Sequence, residues 1–272
     1  MSLGAAAFDH IRGLVRARAA IVLDDGKEYL VEARLAPIAK SRGVASIEEL
    51  STLLTPAHPE LVEEVVQAMT TNETSFFRDL HPFEVLRTKV LPDLIERRKQ
   101  ARSLRLWCGA CSSGQEPYTI AMLILEHFPE LASWQVEITA TDLSTAMLER
   151  AKAGCYRQLE VNRGLSAQQL LRHFDRTGMD WRLKDNVRGM VQFGPLNLIG
   201  NWPSMPKFDV IFLRNVLIYF DVDVKREVLG KMRRQLLPDG YLFLGGAETT
   251  MNIDNAFERA PFERAGCYRV VR

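Results

Sequence analysis

At 272 residues, with 47% hydrophobic and 25% charged side chains, the chain has the composition of a soluble globular protein with room for one full α/β domain and a smaller companion. A formal net charge of +1 argues against a bulk nucleic-acid partner, and four cysteines in a chain this long do not make a disulfide framework. No apolar run approaches the roughly 18 residues of a membrane span, and the first ten residues lack a basic region leading into a long apolar one, so a cytoplasmic protein without membrane insertion is expected.

From Phe8 to about Thr71 apolar residues recur at i, i+3 and i+4, predicting helices over Ile11–Val22, Tyr29–Ile38, Ile47–Leu54 and Leu61–Met69. Residues 1–71 are therefore expected to form a small all-α domain. Asp24-Asp-Gly26 and Ser41-Arg-Gly43 are its turns, Ser46 and Glu49 predict a capping box, and Pro37 predicts a kink or an early end of the second helix. Residues 72–80 read as a linker. From 81 to 272 strands and helices alternate as they do in a parallel, doubly wound sheet. The expected strands are Leu104–Cys108, Val136–Thr141, Met190–Phe193, Phe208–Leu213 and Tyr241–Gly245, with another at Cys267–Val271. Helices are expected over Leu80–Lys99, Glu116–His127, Ser144–Ala153 and Val222–Leu236, and Pro238-Asp-Gly240 as a turn into the late strand. The alternation breaks over residues 156–190: a helix near Ser166–Phe174 precedes a polar stretch suited to a hairpin, which predicts a small inserted β-subdomain.

The segment Leu104-Arg-Leu-Trp-Cys-Gly-Ala-Cys-Ser-Ser-Gly-Gln-Glu-Pro-Tyr118 predicts a buried strand, a turn carrying Gly109 and Gly114, and a helix opened by Glu116 and Pro117. The next strand ends in Asp142, the place where a doubly wound sheet holds a ribose. The turn lacks the G-x-G-x-x-G spacing of a dinucleotide site, and its acid soon after the last glycine looks like an S-adenosylmethionine site instead. A plainer reading makes Glu116 a first-turn acid favoured by the helix dipole and Asp142 the N-cap of a helix over Leu143–Ala151. Cys108 and Cys111 form a C-x-x-C, but no second such pair or spaced histidines complete a metal site, so packing is expected of them and no metal.

Two further segments, Thr71-Asn-Glu-Thr-Ser-Phe-Phe-Arg-Asp79 and Phe208-Asp-Val-Ile-Phe-Leu-Arg-Asn-Val-Leu-Ile-Tyr-Phe220, join Ser113-Gly-Gln-Glu-Pro-Tyr118, Thr141-Asp142 and Leu196-Asn-Leu198. In this order they resemble the CheR-type methyltransferases of bacterial chemotaxis over nearly the whole chain. The resemblance implies a class I methyltransferase fold with an N-terminal all-α domain and an inserted β-subdomain. It also implies methyl transfer from S-adenosylmethionine to glutamate side chains on the cytoplasmic helices of chemoreceptors, leaving glutamate methyl esters and S-adenosylhomocysteine.

By the same resemblance Asn72, Thr74 and Arg78 close over the cofactor, Glu116 faces its methionine or ribose part, and Asp142 holds the ribose hydroxyls. Asn197 and Leu198 flank the adenine, Arg214 and Asn215 stand at the strand end by the reacting centre, and Tyr219 lies beside the transferred methyl. Arg78 orients a carboxylate, on the cofactor or on the substrate. Arg34 and Lys40 match basic positions used against acidic receptor helices, although residues 1–71 hold seven Lys or Arg against ten Asp or Glu, so any basic face there is local. The hairpin stretch Thr177–Arg188 is short and lacks a second glycine compared with members that grip a receptor's carboxyl-terminal peptide, which speaks against that tether. A glutamate with an ordinary pKa near 4.3 is already ionised at neutral pH, so the reaction needs no general base. Attack of an anion on a sulfonium destroys charge, so dry walls such as Phe76, Phe77, Tyr219 and Phe220 favour it. Asp209 is expected to be structural.

Overall fold

The computed structural model describes residues 3–271, and two compact units emerge from it. One reaches to Thr71 and takes in Tyr219–Val224; the other holds Asn72–Ile218 and Lys225–Arg272.

The first unit is built on four helices, α1 (Ala5–Ala19), α2 (Glu28–Arg42), α3 (Ile47–Leu53) and α4 (Pro59–Ala68). Their buried faces repeat at helical spacing: Phe8, Ile11 and Val15 on α1, Val31, Leu35 and Ile38 on α2, and Leu61, Val62, Val65 and Val66 on α4. Each such side chain contributes about 1.5–3 kcal/mol on leaving water. α1 stops earlier than the apolar pattern suggests because Ala20 turns left-handed, its N–H bonded to the Arg16 carbonyl. Pro37 does not end α2, which continues to a left-handed Gly43. The carbonyl that Pro37 leaves without a donor belongs to Ala33, and both residues lie on the exposed face, where water replaces the missing N–H. The expected capping box is only half formed. The Ser46 hydroxyl accepts from the Glu49 N–H, but the Glu49 carboxylate reaches past Ser46 to the N–H of Ala45 at 2.7 Å.

The second unit begins with one helical rod in three parts, α5 (His81–Val85), a π-helical turn (Leu86–Val90) and α6 (Leu91–Arg98), where a uniform helix was expected. The Leu91 N–H bonds back to the Leu86 carbonyl, and Pro92, with no N–H of its own, sits where the register changes. Seven strands then form a mixed sheet: β1 (Ser103–Gly109), β2 (Gln135–Asp142), β6 (Val191–Pro195), β7 (Phe208–Leu213), β8 (Leu236–Leu244), β9 (Phe257–Arg259) and β10 (Cys267–Val270). Their order is β6-β2-β1-β7-β8-β10-β9, with β10 antiparallel to both β8 and β9 and the other pairs parallel. All six residues of β7 are buried, as a central parallel strand covered on both faces requires. Helix α7 (Gln115–His127) is buried from Gln115 through Ile124, α8 (Thr145–Ala153) follows β2, and α12 (Val222–Gln235) precedes β8.

Pro238-Asp-Gly240 is not a turn ahead of the last parallel strand but an excursion inside it. Phe208 pairs with Leu236 and Val210 with Tyr241, so β8 loops out opposite Asp209. A Cβ on Gly240 would lie 2.8 Å from the Asp209 carbonyl, and Asp239 is pinned by Arg97 and Arg98. The insertion holds β3 (Cys155–Arg157), α9 (Gln158–Asn162), α10 (Ala167–His173), β4 (Phe174–Thr177), β5 (Asp180–Leu183) and α11 (Asp185–Arg188). The hairpin turns on Gly178-Met179, with Gly178 at φ +63° as a two-residue turn of this hand asks. It is joined by β3 into a three-stranded antiparallel sheet that the hairpin pattern alone did not disclose.

Candidate active site

The carboxyl ends of β1, β2 and β6 come together around the turn at residues 110–114. Ala110, Ser112 and Gly114 are all left-handed, at φ +54°, +51° and +91°. Such a conformation is held only where the surroundings fix it, and here they do. The Cys111 N–H bonds to the Thr141 carbonyl, the Gly114 N–H to the Cys111 carbonyl, and the Ser112 N–H to the Asp142 carboxylate at 2.7 Å. Gly114 admits no side chain, since a Cβ would lie 2.9 Å from that of Ala151.

The other oxygen of Asp142 accepts from the Ser144 N–H at 2.8 Å. The N-cap of α8 is Ser144 rather than Asp142, because the Ser144 hydroxyl takes the Met147 N–H. Asp142 thus spans two chain segments. Burial pushes its carboxyl above the usual range while the N–H groups of Ser144, Ser112 and Leu143 draw it back. A carboxylate has about four acceptor positions, so this one keeps capacity for hydroxyl donors such as a ribose diol.

Around it stand other predicted residues. The Ser112 hydroxyl bonds to the Asn72 carbonyl at 2.9 Å, and the Leu196 N–H to the Asp142 carbonyl at 3.0 Å. The Asn197 side chain caps the Ile199 N–H, and buried Leu198 is held through its carbonyl by Trp202 and Lys231. Cys108 and Cys111 are free, buried thiols pushed well up by burial, which leaves them protonated packing groups.

A second cluster lies at the end of β7. Arg214 is buried and donates to the Glu116 carboxylate at 2.8 Å, to the Arg78 carbonyl at 2.9 Å and to the Asp79 carboxylate at 2.6 Å. Its guanidinium also lies over the Phe83 ring, and its Nε is buried with no partner among the described residues. Glu116 is pushed up by burial, with Arg214 the chief opposing influence. Its carboxylate meets a guanidinium of the same chain rather than standing open in the glycine turn. Arg78 folds its own segment, donating to the Glu73 carbonyl at 2.7 Å, while Thr74 is partly exposed between them.

Phe76 is not a site wall. It is fully buried against Tyr156 and Phe174 of the insertion, and Gly164 is required beside it because a Cβ there would fall 1.9 Å from the Phe76 carbonyl. Phe77 remains half-buried against Phe83.

Glu248 is a residue the sequence reading missed. Its carboxylate accepts from the N–H groups of Gly245, Asn215 and Val216 at 2.6, 2.8 and 2.8 Å and from Ile218 at 3.4 Å, and it fixes Asn215 at φ +60°. The available signal was an acid three residues past the strand-ending Gly245, too common a pattern to single out. Asp209 is structural as expected, joining Arg98 to the Arg105 N–H.

In the helical unit Arg34 donates to the carbonyls of Met69 and Thr70 and to the Thr71 hydroxyl, so it holds the end of α4. Burial lowers its pKa and the nearby Tyr219 raises it. Tyr219 is half-buried, its carbonyl taking the Val22 N–H, and Lys40 is exposed.

A seven-stranded sheet in this order, with a glycine-bearing turn after β1 and a buried acid ending β2, is that of a class I S-adenosylmethionine-dependent methyltransferase. Residues 72–265 match the CheR methyltransferase S-adenosylmethionine-binding domain and residues 6–70 its all-alpha domain. The chain belongs to the CheR methyltransferase family. It is 43% identical to chemotaxis protein methyltransferase 1 of Pseudomonas aeruginosa, over 99% of each chain. The chemotaxis protein methyltransferase Cher2 of Pseudomonas putida is 42% identical over 95% of each. That of Escherichia coli is 35% identical over 94% of this chain and 89% of its own. The protein is therefore a methyltransferase of chemotaxis with S-adenosylmethionine as its cofactor. No helix among the described residues is long and apolar enough to cross a membrane.

Proposed function

We propose that the protein transfers methyl groups to glutamate side chains on the cytoplasmic helices of chemoreceptors, forming glutamate methyl esters. What supports this reading is the match to the CheR methyltransferase domains together with the buried Arg214 guanidinium, anchored by Glu116 and Asp79, whose Nε has no partner among the described residues. A guanidinium N–H in a dry site favours an anionic acceptor, and a carboxylate is the acceptor a glutamate offers. When bound, S-adenosylmethionine supplies an electrophilic methyl on a sulfonium.

The chain's own residues then have three tasks. Asp142, Asn72, Thr74, Asn197 and Leu198 hold the cofactor, with residues 72–80 linking the helical domain of residues 1–71 to the methyltransferase domain of 81–272. Arg78 and Arg214 hold carboxylates, Asn215 fixes the strand end, and Glu116 keeps Arg214 in place. Tyr219 acts at the transfer step. Alignment of reacting atoms is worth ~7–11 kcal/mol in well-oriented systems, and water exclusion strengthens each of these contacts. Lys40, exposed on α2, is assigned to the receptor together with Arg34, which also holds the end of α4.

The test is incubation with methyl-labelled S-adenosylmethionine and membranes bearing chemoreceptors. Base-labile label on receptor glutamates is expected; no transfer despite cofactor binding, or base-stable label on another substrate, overturns the reading. Tyr219→Phe is expected to slow transfer with nearly unchanged cofactor affinity, and a normal rate in the same assay removes Tyr219 from the step.

A further inference from the structure

At the carboxyl end of β8 a cavity of about 320 Å³ opens, lined by Gly246, Glu248, Thr249, Arg259, Arg264 and Tyr268 among others. That volume is at the bottom of the roughly 300–1,000 Å³ range of ligand pockets, so it suits a side chain better than a nucleotide. Ligands of open α/β sheets gather at the carboxyl ends of the strands, where this cavity lies. It shares a wall with the β7 end: the Glu248 carboxylate is the one that fixes Asn215, and a Cβ on Gly245 would lie 2.8 Å from the Asn215 N–H.

Its charge is one-sided. Among the described residues Glu248 is the one acid that lines it, and that carboxylate is met by the backbone N–H groups of Gly245, Asn215, Val216 and Ile218. Arg259 and Arg264 are exposed, and neither side chain makes an ion pair or hydrogen bond among the described residues. Arg97, Arg98, Arg105, Arg150 and Arg214, by contrast, are each paired with a carboxylate. Glu258 and Glu263, their neighbours in sequence, do not line the cavity.

The two arginines are also held in place. Arg259 pairs with Tyr268 across β9 and β10. Arg264 sits at φ +58° in a loop closed by the Ala260 N–H on the Cys267 carbonyl and the Leu244 N–H on the Gly266 carbonyl. Gly266 is obligatory there, because a Cβ would lie 2.7 Å from the Leu244 carbonyl. Two exposed guanidiniums, one on β9 and one on the loop between β9 and β10, give the cavity a positive rim suited to an anion.

We propose that this cavity takes a carboxylate of the acidic substrate segment, on a residue near the glutamate being methylated, and so sets register and affinity for the protein substrate. The proposal rests on the receptor-glutamate reading above. In the full-length protein, the double variant Arg259→Gln, Arg264→Gln is expected to raise KM for receptor membranes about tenfold with kcat and S-adenosylhomocysteine affinity unchanged. The KM should also lose most of its dependence on salt. A titration independent of activity follows a fluorescent glutamate-rich helical peptide by anisotropy at low salt. Binding at least fivefold weaker to the Gln variant, with partial recovery in the Arg259→Lys, Arg264→Lys variant, supports the site. Unchanged KM, unchanged peptide binding, or displacement of the peptide by inorganic phosphate at equal concentration overturns it. Absence of receptor methylation by the unaltered protein overturns the activity reading instead, and the peptide titration then decides the cavity by itself.

Discussion

The two halves of the sheet end in clusters of opposite construction. At β1 and β2 a carboxylate, Asp142, is held by main-chain N–H groups from residues close to the turn, and the chemistry is that of backbone and one acid. At β7 and β8 a buried guanidinium, Arg214, draws its partners from Asp79, Arg78 and Glu116, while Glu248 organises four N–H groups around the strand end. The first arrangement suits neutral hydroxyls and the second suits an anion. The difference teaches that the β1–β2 cluster is built from backbone around one acid and the β7–β8 cluster is a long-range charge network, so damage should spread further in the second.

The largest effect expected is at the centre of that network. Arg214→Ala leaves Glu116 a buried charge without its partner, and a loss of about 3–5 kcal/mol in urea unfolding should accompany a fall in transfer of ~100-fold or more. A variant that unfolds like the parent would mean Glu116 is solvated or neutral. Next, Glu248→Gln sets an amide NH2 against N–H donors and should cost about 2–3 kcal/mol by the same denaturant measurement. Its transfer rate should fall while cofactor affinity holds, a split that the β1–β2 cluster would not give.

Asp142→Ala reverses that pattern. It should weaken S-adenosylhomocysteine binding by ~1.5–3 kcal/mol in calorimetry, and unchanged affinity would remove Asp142 from the cofactor site. The smallest effect tests the scaffold between the clusters. Hydrogen bonds from Arg98 hold the Asp239 carboxyl down at about 2. Because that pKa is depressed below its unfolded value, its stabilisation is present above about pH 4 and lost as pH falls through about 2. Asp239→Asn should therefore cost about 1 kcal/mol near neutrality, after allowance for solvent screening, and its stability should converge with the parent's in acid.

The order of strands and helices was legible wherever the apolar pattern was long and unbroken. β7 reads as an apolar run interrupted only by Asp209 and is wholly buried, and α7 opens at Glu116-Pro117 much as the sequence implies. The misreadings cluster where one residue has two structural options. Pro37 predicts a helix end, yet its orphaned carbonyl faces water; Pro238-Asp-Gly240 predicts a turn, yet Arg97 and Arg98 hold it as an excursion within β8. Phe76 has the composition of a site wall and the position of a core residue, because Gly164 lets the insertion close over it.

Residue type and spacing by themselves determined the α/β class, the glycine turn with its two acids, and the motifs shared with the CheR family, since those depend on backbone freedom and local periodicity. The partner of each charge was decided only by the tertiary structure. Glu116 and Arg214 lie 2.8 Å apart although far apart in sequence, and no local pattern encodes that distance. The same holds for Arg34, which reads as a surface cation and folds as the clamp on the end of α4. It holds too for Arg259 and Arg264, ordinary charges in the sequence that the antiparallel return of β10 brings to one cavity. Long-range electrostatics follow from where the sheet places its ends, and that placement arises from packing of the whole domain.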